Sequence, residues 1–305
     1  MDKNGSTGRL PVLLSWKVLH SVESCDAVEL TMPVVRGLDS LLHTASEIRC
    51  VHQGETVFCG IADEYELRAD ASGATAMLSG RGYGARLLDN EAESAEYWNA
   101  ELSQILERHV YPCGIRNVRG GNMRCAGRFP VRSGQSHWHV LREFCFFAGG
   151  VIPRFDRYGT LLLTNEKRQK LRLSGAAITE QVWRDRRYGV FSHVLVKNTA
   201  AGQSALVKNP ELIRRGGLCR RVINVPRYTQ YDRMRHTGEY QISQSRRDSQ
   251  VLFIKLPLLF SAFAGDCVDL QESPLGMSGS FTVAESCRTA DGHGGSTRLK
   301  LVREE

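Results

Sequence analysis

The chain has 305 residues, of which 42% are hydrophobic and 24% charged, so it carries enough apolar side chain to build folded cores. No run of 18 apolar residues occurs, and the first ten residues lack the apolar core of a secretory signal. The sequence therefore predicts a protein made in the cytosol, without membrane insertion. The formal charge is +7: residues 1–170 hold 20 basic and 20 acidic side chains, so the whole excess lies in residues 171–305.

The first ninety residues alternate between polar and apolar side chains, with turn residues in between, which predicts a small β-barrel or sandwich. One strand ends at Pro33, and Gln53-Gly54 is the predicted turn of a hairpin. A second antiparallel pair is predicted around the turn at residues 70–73. The predicted strands are Ala27–Met32, Glu47–His52, Glu55–Ile61, Glu64–Leu67 and Ala74–Ser79.

The pattern then changes to a helical period. Apolar residues from Trp98 to Val110 recur on one face, which predicts a helix over Ser94–Val110 that Pro112 ends. Residues 116–135 are rich in Gly and Arg and are predicted to be irregular or weakly stranded.

A second predicted helix begins at the N-cap Ser136, buries Trp138 and ends at Gly149-Gly150. A hairpin follows, with residues 151–155 and 160–164 as its strands and Gly159 at the position that needs a positive φ.

From residue 171 onward the pattern is strand-like again. Two β units that flank a mixed segment predict a β-rich α+β protein with two related, tube-type β-barrel domains and a small α/β insert. The predicted boundaries are 1–93 for the first barrel, 94–170 for the insert and 171–305 for the second barrel. The predicted C-terminal strands are Val190–Lys197, Gln250–Lys255, Cys267–Leu270, Gly279–Glu285 and Ser296–Val302.

Nothing in the sequence predicts a catalytic, cofactor or metal site. Nucleophile-elbow, Walker and zinc-protease motifs are missing, and the glycines of Gly80–Gly84 favour a close backbone crossing over a phosphate loop. Asp89, Glu91 and Glu93 alternate as a solvated strand edge would. His137 and His139, two residues apart on a helix, point in different directions and are expected to be exposed.

The nine cysteines are odd in number and form no CxxC pair, which indicates reduced, mostly buried thiols. Cys113 and Cys125, followed by His137 and His139, match no known zinc spacing.

Two basic clusters leave the partner class open. They could contact phosphates of a nucleic acid, or they could form a solvated face or an interface with an acidic protein, which we favour because no nucleic-acid-binding motif accompanies them. The clusters are Arg184, Arg186 and Arg187, and Arg214, Arg215, Arg220 and Arg221.

Three stretches together resemble the baseplate hub proteins of contractile-tailed phages and phage-tail-like bacteriocins, the late-control-protein-D-like hubs. Leu78–Glu91 (LSGRGYGARLLDNE) resembles the end of the family's first β domain, and residues 138–164 resemble its helix, glycine pair and hairpin. The strands after Phe263, up to Leu301, resemble the closing strands of its second barrel. The order of the three motifs, spread over most of the chain, is more specific than any one of them.

The resemblance implies a homotrimer that joins a hexameric tail tube to a trimeric central spike. Other implied contacts are tube-initiator proteins, inner baseplate or wedge proteins and the tape measure. The particle, a phage virion or a tailocin, would be assembled in the host bacterial cytoplasm. The sequence therefore predicts a non-enzymatic structural hub. The alternatives are a basic nucleic-acid-binding protein and a tail-associated cell-wall hydrolase.

Overall fold

The computed structural model describes residues 7–71, 73–166, 169–225, 229, 231–247 and 249–303. Strands make up 47% of the chain and helices 22%, so the predicted β-rich α+β class is confirmed. Within these residues no helix has the length and apolar character needed to cross a membrane. Residues 1–6 of the N-terminal stretch and Ser72 of the predicted 70–73 turn lie outside the described residues.

The N-terminal part is an antiparallel sheet packed on one short helix. Its elements are β1 (Ser15–Ser21), β2 (Ala27–Pro33), α1 (Leu38–Thr44), β3 (Glu47–His52), β4 (Glu55–Asp70), β5 (Gly73–Gly82) and α2 (Ala85–Leu88). Alternate residues of β2 point inward, so Val28, Leu30 and Met32 are buried against Leu38 of α1 and Phe58 of β4. The predicted strands are confirmed, although 55–61 and 64–67 belong to one long strand with a bulge between Ala62 and Glu64.

The middle part is built around a second core. Its elements are β6 (Ala95–Glu101), α3 (Leu102–Ile105), a π-helical turn (Leu106–Val110), a 3-10 turn (Tyr111–Cys113), β7 (Val118–Gly120), β8 (Arg124–Val131), α4 (His137–Gly149), β9 (Arg154–Phe155) and β10 (Leu161–Leu163). Helix α4 begins at Ser136, whose hydroxyl accepts the His139 backbone N–H, and ends at Gly150 with φ +63°. The predicted cap, helix end and hairpin are confirmed, with Gly159 at φ +80°.

The predicted helix over Ser94–Val110 is wrong in its first half. Residues 95–101 form β6, which pairs antiparallel with β8, so the stretch predicted to be irregular or weakly stranded contains a regular strand of eight residues. Asn99 has φ +51° and lies at a bulge, which brings Tyr97 and Ala100, three residues apart, to the buried side. Trp98, predicted to face the core, is 61% exposed.

The C-terminal part contains the remaining elements. They are β11 (Lys170–Ser174), β12 (Glu180–Asp185), β13 (His193–Asn198), β14 (Gln203–Lys208), α5 (Pro210–Arg214), β15 (Arg220–Asn224), α6 (Tyr231–Arg247), β16 (Gln250–Leu256), β17 (Cys267–Gln271), β18 (Gly279–Asp291) and β19 (Gly294–Arg303). Short 3-10 turns follow β11 and β13. The predicted strands are confirmed, but the helix α6 and the small sheet β14-β13-β15 were not predicted.

One eleven-stranded sheet joins the N-terminal and C-terminal parts. Its main path is β12-β16-β19-β18-β1-β2-β5-β4-β3, and β17 links β18 to β11. Strand β1 pairs antiparallel with β18 from Trp16↔Ala290 to Ser21↔Glu285, so this pairing is the seam between the two parts. The described pairings leave β12 and β3 as the ends of the path, so they do not form a closed barrel.

Candidate assembly surfaces

The carboxylates considered for hydrolysis do not converge. Asp89 accepts two hydrogen bonds from Arg81, at 3.0 and 2.8 Å, and these bonds lower the pKa of Asp89. A general acid needs a raised pKa, so the environment of Asp89 shifts it in the wrong direction. Glu91 and Glu93 are exposed, and the backbone of Glu91 forms a bridge to Ser136.

The glycine-rich run Gly80–Gly84 serves backbone packing, as predicted. A Cβ on Gly80 would overlap the carbonyl of Ile61, and a Cβ on Gly60 would overlap that of Arg81, so strands β4 and β5 approach closely there. A Cβ on Gly82 would lie 3.1 Å from Asp26.

His137 is half-buried instead of exposed, which corrects the sequence prediction, while His139 is exposed. The His137 Nδ1 lies 3.0 Å from Nδ1 of His109, whose Nε2 lies 2.9 Å from the Tyr97 hydroxyl. Burial lowers the pKa of His109 to about 4 and lowers that of His137. The sequence did not point to His109, because its partners lie 12 and 28 residues away in the chain.

The cysteines are all free thiols. Cys125 and Cys145 are buried, and Cys113 packs against the same middle core. Within the described ranges, no three His, Cys, Asp or Glu side chains are placed to hold a metal ion.

The two basic clusters meet in part, at a cleft of about 560 Å³ lined by Arg186, Arg187 and Arg215. Carboxylates share this cleft: Arg215 binds Asp185 at 2.6 Å, and Arg246 binds Glu211 at 2.9 Å. Interleaved acids oppose phosphate binding, so the cleft does not have the uniform charge of a nucleic-acid groove.

The small sheet β14-β13-β15 presents an apolar row on the side away from α6. One face packs on α6 through Val194, Val196 and Ala205, which are buried. On the other face Leu206, Leu195 and Val222 stand side by side in the strand register. Leu206 is 50% exposed and Val222 is 52% exposed.

Basic side chains border this row. His193 lies two residues before Leu195 on the same face of β13. The register places it beside Lys208 of β14 and Arg220 of β15. Lys197 lies on the opposite side of the row, beside Ser204 and Asn224. An apolar row with Lys208 and Arg220 on one side and Lys197 on the other is complementary to an acidic protein surface with an apolar centre.

Solved structures with a similar fold include two bacterial or prophage tail proteins and a type VI secretion component. The tail protein from Neisseria meningitidis MC58 superposes with a TM-score of 0.78 at 15% identity, over 96% of this chain and 92% of that one. The prophage MuSo2 43 kDa tail protein from Shewanella oneidensis gives 0.76 at 19% identity, over 96% and 95%. The E. coli c3393 protein, a component of the type VI secretion system, gives 0.59 at 10% identity, over 96% and 74%.

No protein-family model matches the chain, and no curated protein matches its sequence. The likeness is therefore one of fold. It confirms at that level the resemblance to baseplate hub proteins drawn from the three sequence motifs.

Proposed function

We propose that this chain is a non-enzymatic structural subunit of a contractile tail, the trimeric baseplate hub that joins the hexameric tail tube to the trimeric central spike. The observation that carries the proposal is the end-to-end likeness to phage tail proteins: 96% of this chain superposes on 92% of the Neisseria protein and on 95% of the MuSo2 protein. A shared single domain would cover less of both chains.

In this proposal the β regions at 1–93 and 171–305 are the two related tube-type units, and 94–170 is the α/β insert. Three protomers then place six β units in a ring, which matches a sixfold tube on one side, while their inserts form a threefold seat for the spike. Tube-initiator proteins, inner baseplate proteins and the tape measure are further proposed neighbours in a virion or tailocin.

The seam between β1 and β18 supports this role. A symmetry adaptor must hold its two β units in a fixed arrangement, and six consecutive residue pairs join them through backbone hydrogen bonds. Lys300 on the C-terminal side also binds Glu23 on the N-terminal side at 3.2 Å.

The apolar row of Leu206, Leu195 and Val222 is the proposed contact with another subunit. Such contacts in stable assemblies have an apolar centre and a polar rim, as this face has. A Glu at position 206 would place a charge in that centre, and burial of a charge without a partner is strongly unfavourable.

The test is the solution mass of the purified chain, measured by light scattering alone and with the co-encoded spike protein. The proposal expects three times the 34.1 kDa protomer mass for the chain alone, or, if the trimer needs the spike, a complex that contains three protomers in addition to the mass of the spike. A monomer that does not bind the spike protein and instead binds DNA or degrades cell wall would refute the proposal.

A pair of variants tests the apolar row separately. Leu206→Glu should weaken the trimer or its spike complex by at least about tenfold, because apolar burial is lost and a charge is introduced. Val12→Glu is the control, since Val12 is 84% exposed and lies outside the row. If both variants assemble equally well, the apolar row is not part of the interface, and the proposal of a trimer is not affected by that result.

A further inference from the structure

A cavity of about 450 Å³ lies at the seam between the N-terminal and C-terminal parts. The β3–β4 hairpin, with Val51 and Gln53, forms one side, and the segment after β16, with Leu258 and Leu259, forms the other. The hydroxyl of Thr297 fixes that segment, because it accepts the Phe260 N–H and donates to the Leu258 carbonyl, both at 2.8 Å. The inner wall is apolar; its side chains include those of Trp16, Val18 and Leu30.

Arg288 borders this cavity and is the one Arg, Lys, Asp or Glu among its described lining residues. Arg288 lies on β18, where its backbone is paired with Val18 of β1 and with Thr297 of β19. The residue is only 3% exposed. Within the described part of the chain, Nε and Nη2 of Arg288 have no hydrogen-bond partner. A buried guanidinium without partners is costly, so such a group calls for an explanation.

Among the described residues, an aromatic ring lies against the Arg288 guanidinium and no carboxylate forms an ion pair with it. The guanidinium lies 4.6 Å from the centroid of the Phe263 ring, and that of Arg157 lies 4.6 Å from the same centroid. Arg157 binds Glu55 at 3.1 Å, whereas within the described ranges Arg288 has no such ion pair. The cation–π contact stabilises the charge and leaves the N–H groups of the guanidinium edge unused. Cys50 in the cavity wall adds no charge, because burial raises its pKa to about 12.

The same chain shows what such an edge binds. Arg81 holds Asp63 through Nε at 2.7 Å and Nη2 at 3.0 Å, a bidentate pair that uses the two nitrogens left without partners in Arg288. The side chain of Arg288 lines the cavity. We propose that the cavity binds a carboxylate carried on an apolar stem, with Arg288 holding the carboxylate and Trp16, Val18 and Leu30 contacting the stem.

Two sources carry this chemistry: an acidic side chain of an adjoining polypeptide, or a small amphiphilic carboxylate. The inference does not rest on the proposed hub function, since a monomeric chain would contain the same cavity.

The test uses the full chain labelled with 5-fluorotryptophan, because Trp16 lines the cavity and the other three tryptophans do not. Octanoate should shift the Trp16 fluorine resonance in a saturable manner and leave those of Trp98, Trp138 and Trp183 in place. Octanol, which has the stem without the charge, should bind at least about tenfold more weakly.

Arg288→Met should weaken octanoate binding by about 10–100-fold, the usual value of a charged hydrogen bond. Arg184→Met is the matched control, because Arg184 is exposed and its guanidinium lies 4.8 Å from the Phe253 ring. An acetylated, amidated peptide Ala-Leu-Glu-Leu-Ala, compared with its Gln counterpart, tests the polypeptide source. Binding of either charged probe that depends on Arg288 supports the site. Failure of both probes, or equal binding by the Arg288→Met variant, overturns it.

Discussion

Gly159→Ala should destabilise the contact between the insert hairpin and the N-terminal part. Gly159 lies in the β9–β10 turn with φ +80°, and a Cβ built there would overlap the Tyr83 ring. The left-handed backbone alone costs an L-residue about 1–2 kcal/mol. The overlap adds a second cost, because Tyr83 must move.

Movement of Tyr83 disturbs a cluster of three hydrogen-bonded side chains, Tyr83, Glu47 and Arg86, at the edge of the sheet. The Tyr83 hydroxyl donates to Glu47 at 3.1 Å, and Arg86 donates to the same carboxylate at 2.9 Å. Overpacking of this kind costs about 1–3 kcal/mol. Together the two effects predict a loss of about 2–5 kcal/mol in the free energy of unfolding for Gly159→Ala.

Gly134→Ala is the matched control, because Gly134 has φ +83° and a Cβ there would meet nothing within 4 Å. Urea unfolding, followed by tryptophan fluorescence, should show a loss of about 1–2 kcal/mol for the control, from the backbone alone. In a Tyr83→Ala background the extra loss from Gly159→Ala should vanish. Equal losses for Gly159→Ala and Gly134→Ala would refute the reasoning.

The remaining predictions concern charge. Because the folded chain binds protons less readily at His109 and His137 than the unfolded chain, stability should fall as the pH drops from about 6.5 towards about 4. His109→Gln should flatten that slope in urea midpoints measured between pH 4.5 and 7, and an unchanged slope would contradict the assignment. Asp89→Asn should lower the free energy of unfolding by no more than about 1 kcal/mol, because Asp89 is exposed and Arg81 still has its ion pair with Asp63. A larger loss in the same urea assay would contradict this prediction.

Strands and turns with local signals could be predicted from the sequence. The alternation in β2 and the Gln53-Gly54 turn each lie within a few residues of chain, and the structure has both. The cap at Ser136 and the helix end at Gly150 are likewise local. Local signals suffice there because side-chain alternation follows from the strand backbone itself, while the turn and the helix caps are closed by hydrogen bonds between residues that are near in the chain.

The helix prediction failed at Trp98 because Trp98 lies four residues before Leu102 and so continues the helical spacing, although it is exposed on strand β6. The extra residue at Asn99 places Tyr97 and Ala100 on one side of a strand, three apart, as in a helix. The bulge is held from a distance: the Asn99 side chain accepts the Gly127 N–H at 2.9 Å, across 28 residues. No window of local sequence contains that contact.

Helix α6 was missed for a different reason, its narrow apolar stripe. Met234 and Ile242 are its buried apolar side chains in the described residues, and Gly238 lies between them. A Cβ on Gly238 would crowd Val207 of β14, so this glycine lets the helix lie close to the sheet. A helix this polar has few apolar side chains from which an apolar stripe can be recognised.

The β1–β18 seam joins the two predicted β units, 1–93 and 171–305, although residues 94–170 separate them in the chain. Strand β1 opens the chain's first unit and β18 lies near the end of the last, yet they are hydrogen-bonded neighbours. Val22 continues the contact, since its N–H donates to the Ala284 carbonyl at 3.0 Å. A load applied to one unit therefore reaches the other through a row of backbone hydrogen bonds and not through a linker. In the proposed hub, the stiffness between units would then depend on the β1–β18 pairing more than on the closure of either unit.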